Sequence, residues 1–159
     1  MTSSEGSGVG EGDAGGPQLT ECPFCQIVAG AEFAPVVYAT AETVAFFPLH
    51  PASVGHTLVI PRAHVRDLWE LDQALVEPLF SAVLLVSRAL RNVLKPEGLN
   101  VIASSGAAAS QTVFHLHVHV VPRWEQDRIG PIWPPADPSI DHATANLADE
   151  VRQACAELA

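Results

Sequence analysis

Phe114-His115-Leu116-His117-Val118-His119-Val120-Val121-Pro122 is the stretch from which fold and chemistry are both read. In extended backbone, successive side chains point to opposite faces. The alternation predicts His115, His117 and His119 on one face, with Leu116, Val118 and Val120 on the core side. Clustered imidazoles resist being charged together, which keeps some neutral near pH 7. A neutral imidazole is a nucleophile, and a charged neighbour stabilises phosphate oxygens. Two other readings fit the same residues. One is chance alternation. The other is a three-histidine catalytic metal site, although two histidines reach one metal from a single strand more easily than three.

Working outward, the pattern predicts a fifth strand over Val113 to Val121, ending at Pro122. Earlier strands are expected at Pro35 to Ala39, Thr43 to Phe47, His56 to Ile60 and Leu99 to Ala103, from β-branched and aromatic runs with Gly or Pro at their ends. Pro23 to Gly30 reads as a short helix with Pro at its start and Gly at its end. Between Asp72 and Leu94, the residues Leu75, Leu79, Val83, Val86, Leu90 and Val93 recur at helical spacing. Pro96 and Gly98 stop that long amphipathic helix, and Pro78 falls in its first turns, where proline costs least. Ser104 to Gln111 is small and polar, hence a loop. The proline-rich stretch Gly130 to Pro138 should be extended and pinned by the Trp133 indole, and Asp141 to Leu158 should form a closing helix. This order favours α+β: a largely antiparallel sheet of about five strands, one long helix and a C-terminal helix.

Residues 1–20 are Gly, Ser, Glu and Asp with almost nothing apolar, so a disordered tail is expected before a single domain over residues 21–159. The formal charge is −10 with one lysine, Lys95, and scattered arginines. That argues against a nucleic-acid binder, which needs clustered cations. No apolar run is read as approaching a membrane span, and no basic segment precedes an apolar one at the N-terminus. A cytoplasmic protein without a membrane partner is therefore expected. Cys22 and Cys25 have the C-x-x-C spacing of a metal or redox pair, with an incidental thiol pair as the alternative. No thioredoxin-like βαβ pattern follows them. Cys155 reads as a small buried hydrophobe in a helix.

The alternating histidine stretch, the preceding Ser110-Gln111-Thr112-Val113-Phe114, and the upstream Gly55-His56-Thr57-Leu58-Val59-Ile60-Pro61-Arg62-Ala63-His64 are together highly specific. With the C-x-x-C segment they resemble the histidine triad (HIT) superfamily over roughly residues 21 to 135, and its bacterial zinc-containing Hint-like nucleotide hydrolases in particular. The resemblance implies a nucleotide-binding fold and a homodimer whose sheets join across the interface. It implies that His117 attacks the α-phosphorus of a nucleoside phosphoramidate, phosphoanhydride or phosphoester, with a strand carbonyl fixing its tautomer. The substrate would be a purine nucleoside monophosphate conjugate or a dinucleoside polyphosphate. His119 and Gln111 would contact phosphate oxygens, Ser110 and Thr112 would lie in the binding loop with Thr112 near the leaving group, and His56 would support the triad. Zinc ligation by Cys22, Cys25, His64 and His115 is likewise implied. A closed four-ligand set of this kind is a structural zinc, which ties up His115 and leaves His117 free.

Two positions depart from the family pattern. Pro48 stands where many relatives have an Asp that holds the ribose hydroxyls, followed by Leu49 and His50, and His50 either reaches the ribose or does nothing. Ser104 stands where relatives often have Asn. Three functions therefore compete: a hydrolase working through a nucleotidyl-histidine, a zinc-stabilised nucleotide sensor or partner protein with little turnover, and a nucleotidyltransferase or phosphorylase.

Overall fold

The computed structural model describes residues 21–137, 139–140, 144 and 147–159. The expected disordered tail over residues 1–20 lies outside the described residues. The expected single domain over residues 21–159 divides into two units, one ending at Asp127 and the other running from Arg128 to Ala159.

In the first unit, β1 (Val36–Ala39), β2 (Thr43–Phe46), β3 (Thr57–Pro61), β4 (Gly98–Ala103) and β5 (Val118–Arg123) form one sheet, joined by helices α1 (Pro23–Ala29) and α2 (Gln73–Leu94). The strand order is β1-β2-β3-β5-β4, and every neighbouring pair is antiparallel. This is the α+β architecture expected from the sequence.

The alternation of side chains sends the two sheet faces to different helices. Ala45, Val59, Val118 and Val120 pack under α2 against Leu79, Ala82, Val83, Val86 and Leu90. Leu79, Val83, Val86 and Leu90 each contribute roughly 1.5–3 kcal/mol by leaving water. Val44, Phe46, Leu58 and Ile60 face the other way, towards Phe24 of α1. Leu58 pairs with His119 across the sheet, so the histidines lie on the α1 side.

Local chemistry sets the helix ends. Asp72 caps α2 by accepting from the Ala74 amide at 2.7 Å, and Lys95 closes it in the left-handed region at φ 50°. Gly30 closes α1 at φ 73°. At Gly55, φ is +80°, and a Cβ there would meet Leu94 Cδ1 at 2.4 Å. That glycine lets the chain turn into β3 directly beneath the end of α2.

Three expectations are corrected within this unit. The fifth strand begins at Val118, not Val113, and continues through Pro122 to Arg123. Extending the β3–β5 register from Val59↔Val118 brings Pro61 opposite Leu116. Proline has no N–H to give, so the ladder stops there, and the Leu116 amide instead donates to Val65 O at 2.6 Å. Pro122 is tolerated because the last β3 pairing, Thr57↔Val120, lies before it. Secondly, Val93 is 78% exposed and does not join the core. Thirdly, α2 is long and apolar enough by length and composition to cross a membrane. Packing on the sheet accounts for one stripe of it, Leu79, Ala82, Val83, Val86 and Leu90, while Phe80, Leu84, Leu85 and Val93 are exposed apolar residues outside that stripe.

In the second unit, helix α3 (Leu147–Leu158) has no buried residue, and Cys155 on it is exposed, not buried as expected. The Trp133 indole is 84% exposed, so it does not pin the proline-rich stretch. The remainder of the expected Asp141–Leu158 helix includes residues 141–143 and 145–146, which lie outside the described residues.

Candidate active site and metal centre

Because the ladder ends at Pro61, residues 113–117 cross the sheet edge in bent and extended backbone outside the strands. His115 and His117 lie on this segment, and His119 lies within β5. The three histidines still cluster, though not by strict strand alternation.

His117 is 6% exposed, and its Nδ1–H donates to the His115 carbonyl at 2.7 Å. A carbonyl can only accept, so the proton sits on Nδ1 and the lone pair on Nε2. Burial lowers the His117 pKa, partly offset by that hydrogen bond. The ring is therefore neutral near pH 7, with one nitrogen prepared to attack. Its neighbours are the His119 ring at 4.9 Å and the edge of Phe24 at 5.3 Å.

A second chain of hydrogen bonds fixes His119. The Ala52 amide donates to His56 Nδ1 at 3.0 Å, so His56 carries its proton on Nε2. That Nε2–H faces His119 Nδ1 at 2.9 Å. His119 Nδ1 thus accepts, and its remaining proton belongs on Nε2, a donor for an anionic oxygen. Burial first, then His117 and His56, push the His119 pKa down to about 4. Burial, then His117, lowers that of His56.

The loop before the histidines is braced by Gln111. This residue is 3% exposed, its Nε2 donates to the Arg66 and Val113 carbonyls at 2.8 and 3.1 Å, and its Oε1 accepts from the Gly106 amide at 2.7 Å. Both amide hydrogens are committed. The expected phosphate contact from Gln111 is therefore replaced by a bracing role, since a side chain with no free N–H offers phosphate no donor. Ser110, at φ 67°, and Thr112 are exposed on the same loop. Ser104 follows β4 directly, and continuing the Ala103↔Val118 register places it opposite His117. Leu49, 87% exposed, and His50, also exposed, lie on the loop between β2 and β3.

Cys22, Cys25, His64 and His115 converge, with one ligand atom from each lying within 4.8 Å of the others. His115 Nδ1 lies 3.5 Å from both sulfurs, and His64 Nδ1 lies 3.2 Å from Cys25 Sγ. Tetrahedral zinc with nitrogen and sulfur ligands spaces its donors by about 3.3–3.8 Å, so the set fits zinc. The His115 tautomer fits as well. Its Nε2–H donates to the Pro61 carbonyl at 2.9 Å, which leaves a lone pair on the Nδ1 that faces the thiols. Burial, offset by the Pro61 bond and reinforced by His64 and His117, lowers the His115 pKa to about 4, so it does not compete for a proton. With the protein alone, burial and the adjacent Cys22 push the Cys25 thiol up to about 11. A cation at the centre inverts that preference and favours the thiolate. Four protein ligands leave no open position for water, which argues against metal-activated hydrolysis at this centre.

Phe24 and the Pro61 carbonyl were not read as functional from the sequence. Phe24 stands between the two cysteines and looks there like any apolar helix residue. The only signal for Pro61 was its place at the end of a strand.

The chain belongs to the HIT domain family, whose description matches residues 31–126. It is 38% identical over 113 residues to Protein hit of Bacillus subtilis, covering 70% of this chain and 78% of that one. It is 34% identical over 125 residues to Adenylylsulfatase HINT3 of Arabidopsis thaliana, covering 79% of this chain and 63% of that one. Its fold is similar to SMU.412c from Streptococcus mutans UA159, with a TM-score of 0.78, 36% identity, and 92% and 91% of the two chains covered. It is also similar to a Zn-bound histidine triad family protein from Mycobacterium smegmatis, with a TM-score of 0.66, 32% identity, and 85% and 98% covered.

Two measurements follow. Purified protein should carry about one zinc per chain by elemental analysis, and Cys22→Ser should lose both zinc and thermal stability, because binding free energy of this kind is folding free energy. Full stability in a metal-free preparation would contradict this. The second concerns acid. An unfolded histidine takes up its proton near pH 6.5, whereas folded His119 does so only at about 4. Between those values the unfolded chain binds more protons. The stability associated with neutral His119 is thus complete above about pH 6.5 and lost as pH falls towards 4. Thermal melts of His119→Gln should show a shallower acid dependence than the wild type over that range.

Proposed function

We propose that this protein is a nucleotide-binding hydrolase that cleaves at the α-phosphate of a nucleoside phosphoramidate or related nucleotide through a covalent intermediate on His117. The observation that carries this reading is the 2.7 Å bond from His117 Nδ1–H to the His115 carbonyl, which leaves the Nε2 lone pair as nucleophile. Nε2 forms a bond to phosphorus as the bond to the leaving nitrogen or oxygen breaks, and the leaving group takes up a proton. Water then replaces His117 on phosphorus, releasing the nucleoside monophosphate and returning a proton to solvent. Dividing one displacement into two easier ones is the gain of covalent catalysis. His119 Nε2–H is the donor best placed to stabilise charge on a phosphate oxygen. In this reading zinc is structural, and it holds the site without entering the reaction.

Pro48 supplies no side-chain acceptor for ribose hydroxyls, so selectivity for the nucleoside is expected to be broad compared with recognition of the phosphate. A dimer completes the reading. Among the described residues strand β4 is a sheet edge paired with β5 alone, its Val101 is 47% exposed, and Phe80 and Leu84 of α2 are 46% and 51% exposed, with Leu84 lining one cleft with Leu99 of β4. An unpaired edge beside an apolar helix face is material for an isologous interface.

His117→Ala should abolish turnover of adenosine phosphoramidate and of dinucleoside polyphosphates while leaving nucleotide binding nearly intact. Mass spectrometry of a slow substrate should place a nucleotidyl group on His117. Robust turnover by His117→Ala, or chelator-sensitive activity without an adduct, would overturn the assignment. With the phosphoramidate as substrate, adding inorganic phosphate distinguishes hydrolysis from transfer, since hydrolysis then yields only the nucleoside monophosphate and transfer yields the diphosphate. Sedimentation should give a dimer at micromolar concentration, and Leu84→Glu should shift it to monomer.

A further inference from the structure

His115 joins the two sites through different atoms. Its ring Nδ1 faces Cys22 and Cys25, while its backbone carbonyl receives the His117 Nδ1–H at 2.7 Å. That carbonyl is not held by the sheet, because residues 113–117 lie outside the strands. The segment is anchored by the Leu116 side chain in the core, by the Leu116 amide on Val65, which follows the ligand His64, by the His115 ring and by Gln111. A second arm runs through α1. Phe24 sits between the two cysteines, is 8% exposed, and presses edge-on against His117 at 5.3 Å, His115 at 5.8 Å and Phe46 at 5.5 Å.

We infer that the Cys22/Cys25/His64/His115 centre, together with Phe24, is a positioning device for the nucleophile: the metal fixes the carbonyl that sets the His117 tautomer, and the cysteines fix the ring that walls it in. This rests on the reading of His117 as nucleophile and adds to it. Loss of the ion leaves the His115 ring on the Pro61 carbonyl alone and releases His64 beside Val65, whose carbonyl holds the His115–Leu116 peptide; that peptide then shifts, and His117 loses the acceptor that keeps its lone pair on Nε2. The effect falls on the chemical step, because no ligand of the centre contacts the phosphate in this reading. Cys22, Cys25, His64 and Phe24 are thus positioning residues, and catalytic residue is kept for His117 and His119.

The test uses full-length protein with zinc itself as the probe. The His117 Nδ1–H is followed by proton NMR on ¹⁵N-histidine-labelled protein and assigned by its absence in His117→Gln. His64→Ala weakens the centre yet keeps the His115 ring, so it can be titrated with zinc. The N–H signal and kcat are expected to rise together with zinc occupancy. At low occupancy kcat should be lower by about 10- to 100-fold, the usual cost of losing such outer support, with KM changed less than about twofold. Cys155→Ser, on the exposed helix of the second unit, should behave like the wild type. Phe24→Leu should keep full zinc content while losing N–H signal intensity and kcat.

A signal and kcat independent of zinc occupancy in folded His64→Ala would overturn the inference, as would a fall in KM-based affinity with kcat preserved. Should the metal-free state unfold, the zinc-loaded Phe24→Leu protein decides, and unchanged signal and kcat there count against the device. A signal that tracks zinc in a protein showing no turnover of any nucleotide would instead refute the proposed hydrolase and leave the coupling standing.

Discussion

A single hydrogen bond, from His117 Nδ1 to the His115 carbonyl, governs what this site can do. An imidazole has two nitrogens and one proton when neutral, so whichever nitrogen holds the proton decides which one is a base or nucleophile. Water would satisfy either choice. Burial removes water from the competition and leaves one acceptor at 2.7 Å. The rest of the first unit serves that arrangement. The sheet supplies His119, α1 supplies a wall through Phe24, and Gln111 braces the loop that leads into the histidines. Energetically the bond is modest, about 1 kcal/mol net in a typical case. Its importance lies in selecting a tautomer, which no amount of additional burial would do.

Low histidine pKa values follow from the same burial. Four imidazoles, on His56, His115, His117 and His119, pack within one region and all are held below the ordinary range. For each, desolvation is the largest cause; neighbouring rings come second for His56 and His119 and after the Pro61 bond for His115, while for His117 the His115 bond partly offsets the burial. The cluster is neutral chiefly because it is dry, with mutual repulsion a lesser contribution. This differs in emphasis from the sequence reading, in which crowding alone was the argument.

Most of the scaffold was legible because it rests on local rules: strand alternation, the helical spacing of Leu79, Val83, Val86 and Leu90, and Gly or Pro at ends. The histidine and cysteine motifs were legible because few other arrangements bring those residue types to such spacing. What escaped depends on contacts distant in sequence. The fifth strand begins late because Pro61, more than fifty residues upstream, cannot donate to Leu116. Gln111 turned from ligand to brace because its amide meets Arg66, Gly106 and Val113, a meeting that only the folded loop defines. Phe24 gives no sequence signal, since its partners His115 and His117 are remote. Cys155 and Trp133 were misjudged because helical amphipathicity and aromatic character describe a capacity to be buried, which the second unit does not use.

The proline that ends β3 has one more consequence. Hydrogen-bonded strands open together, since each ladder bond protects its neighbours, but a segment outside the ladder is released from that cooperativity. Residues 113–117 border the sheet without belonging to it. The Leu116 amide is held by the Val65 carbonyl and not by a neighbouring strand, so its protection follows that loop contact and not the opening of the β3–β5 ladder. The chain thus separates the ladder from the cluster: the strands share one cooperative network, while His115 and His117 sit on a short span held by its own tethers.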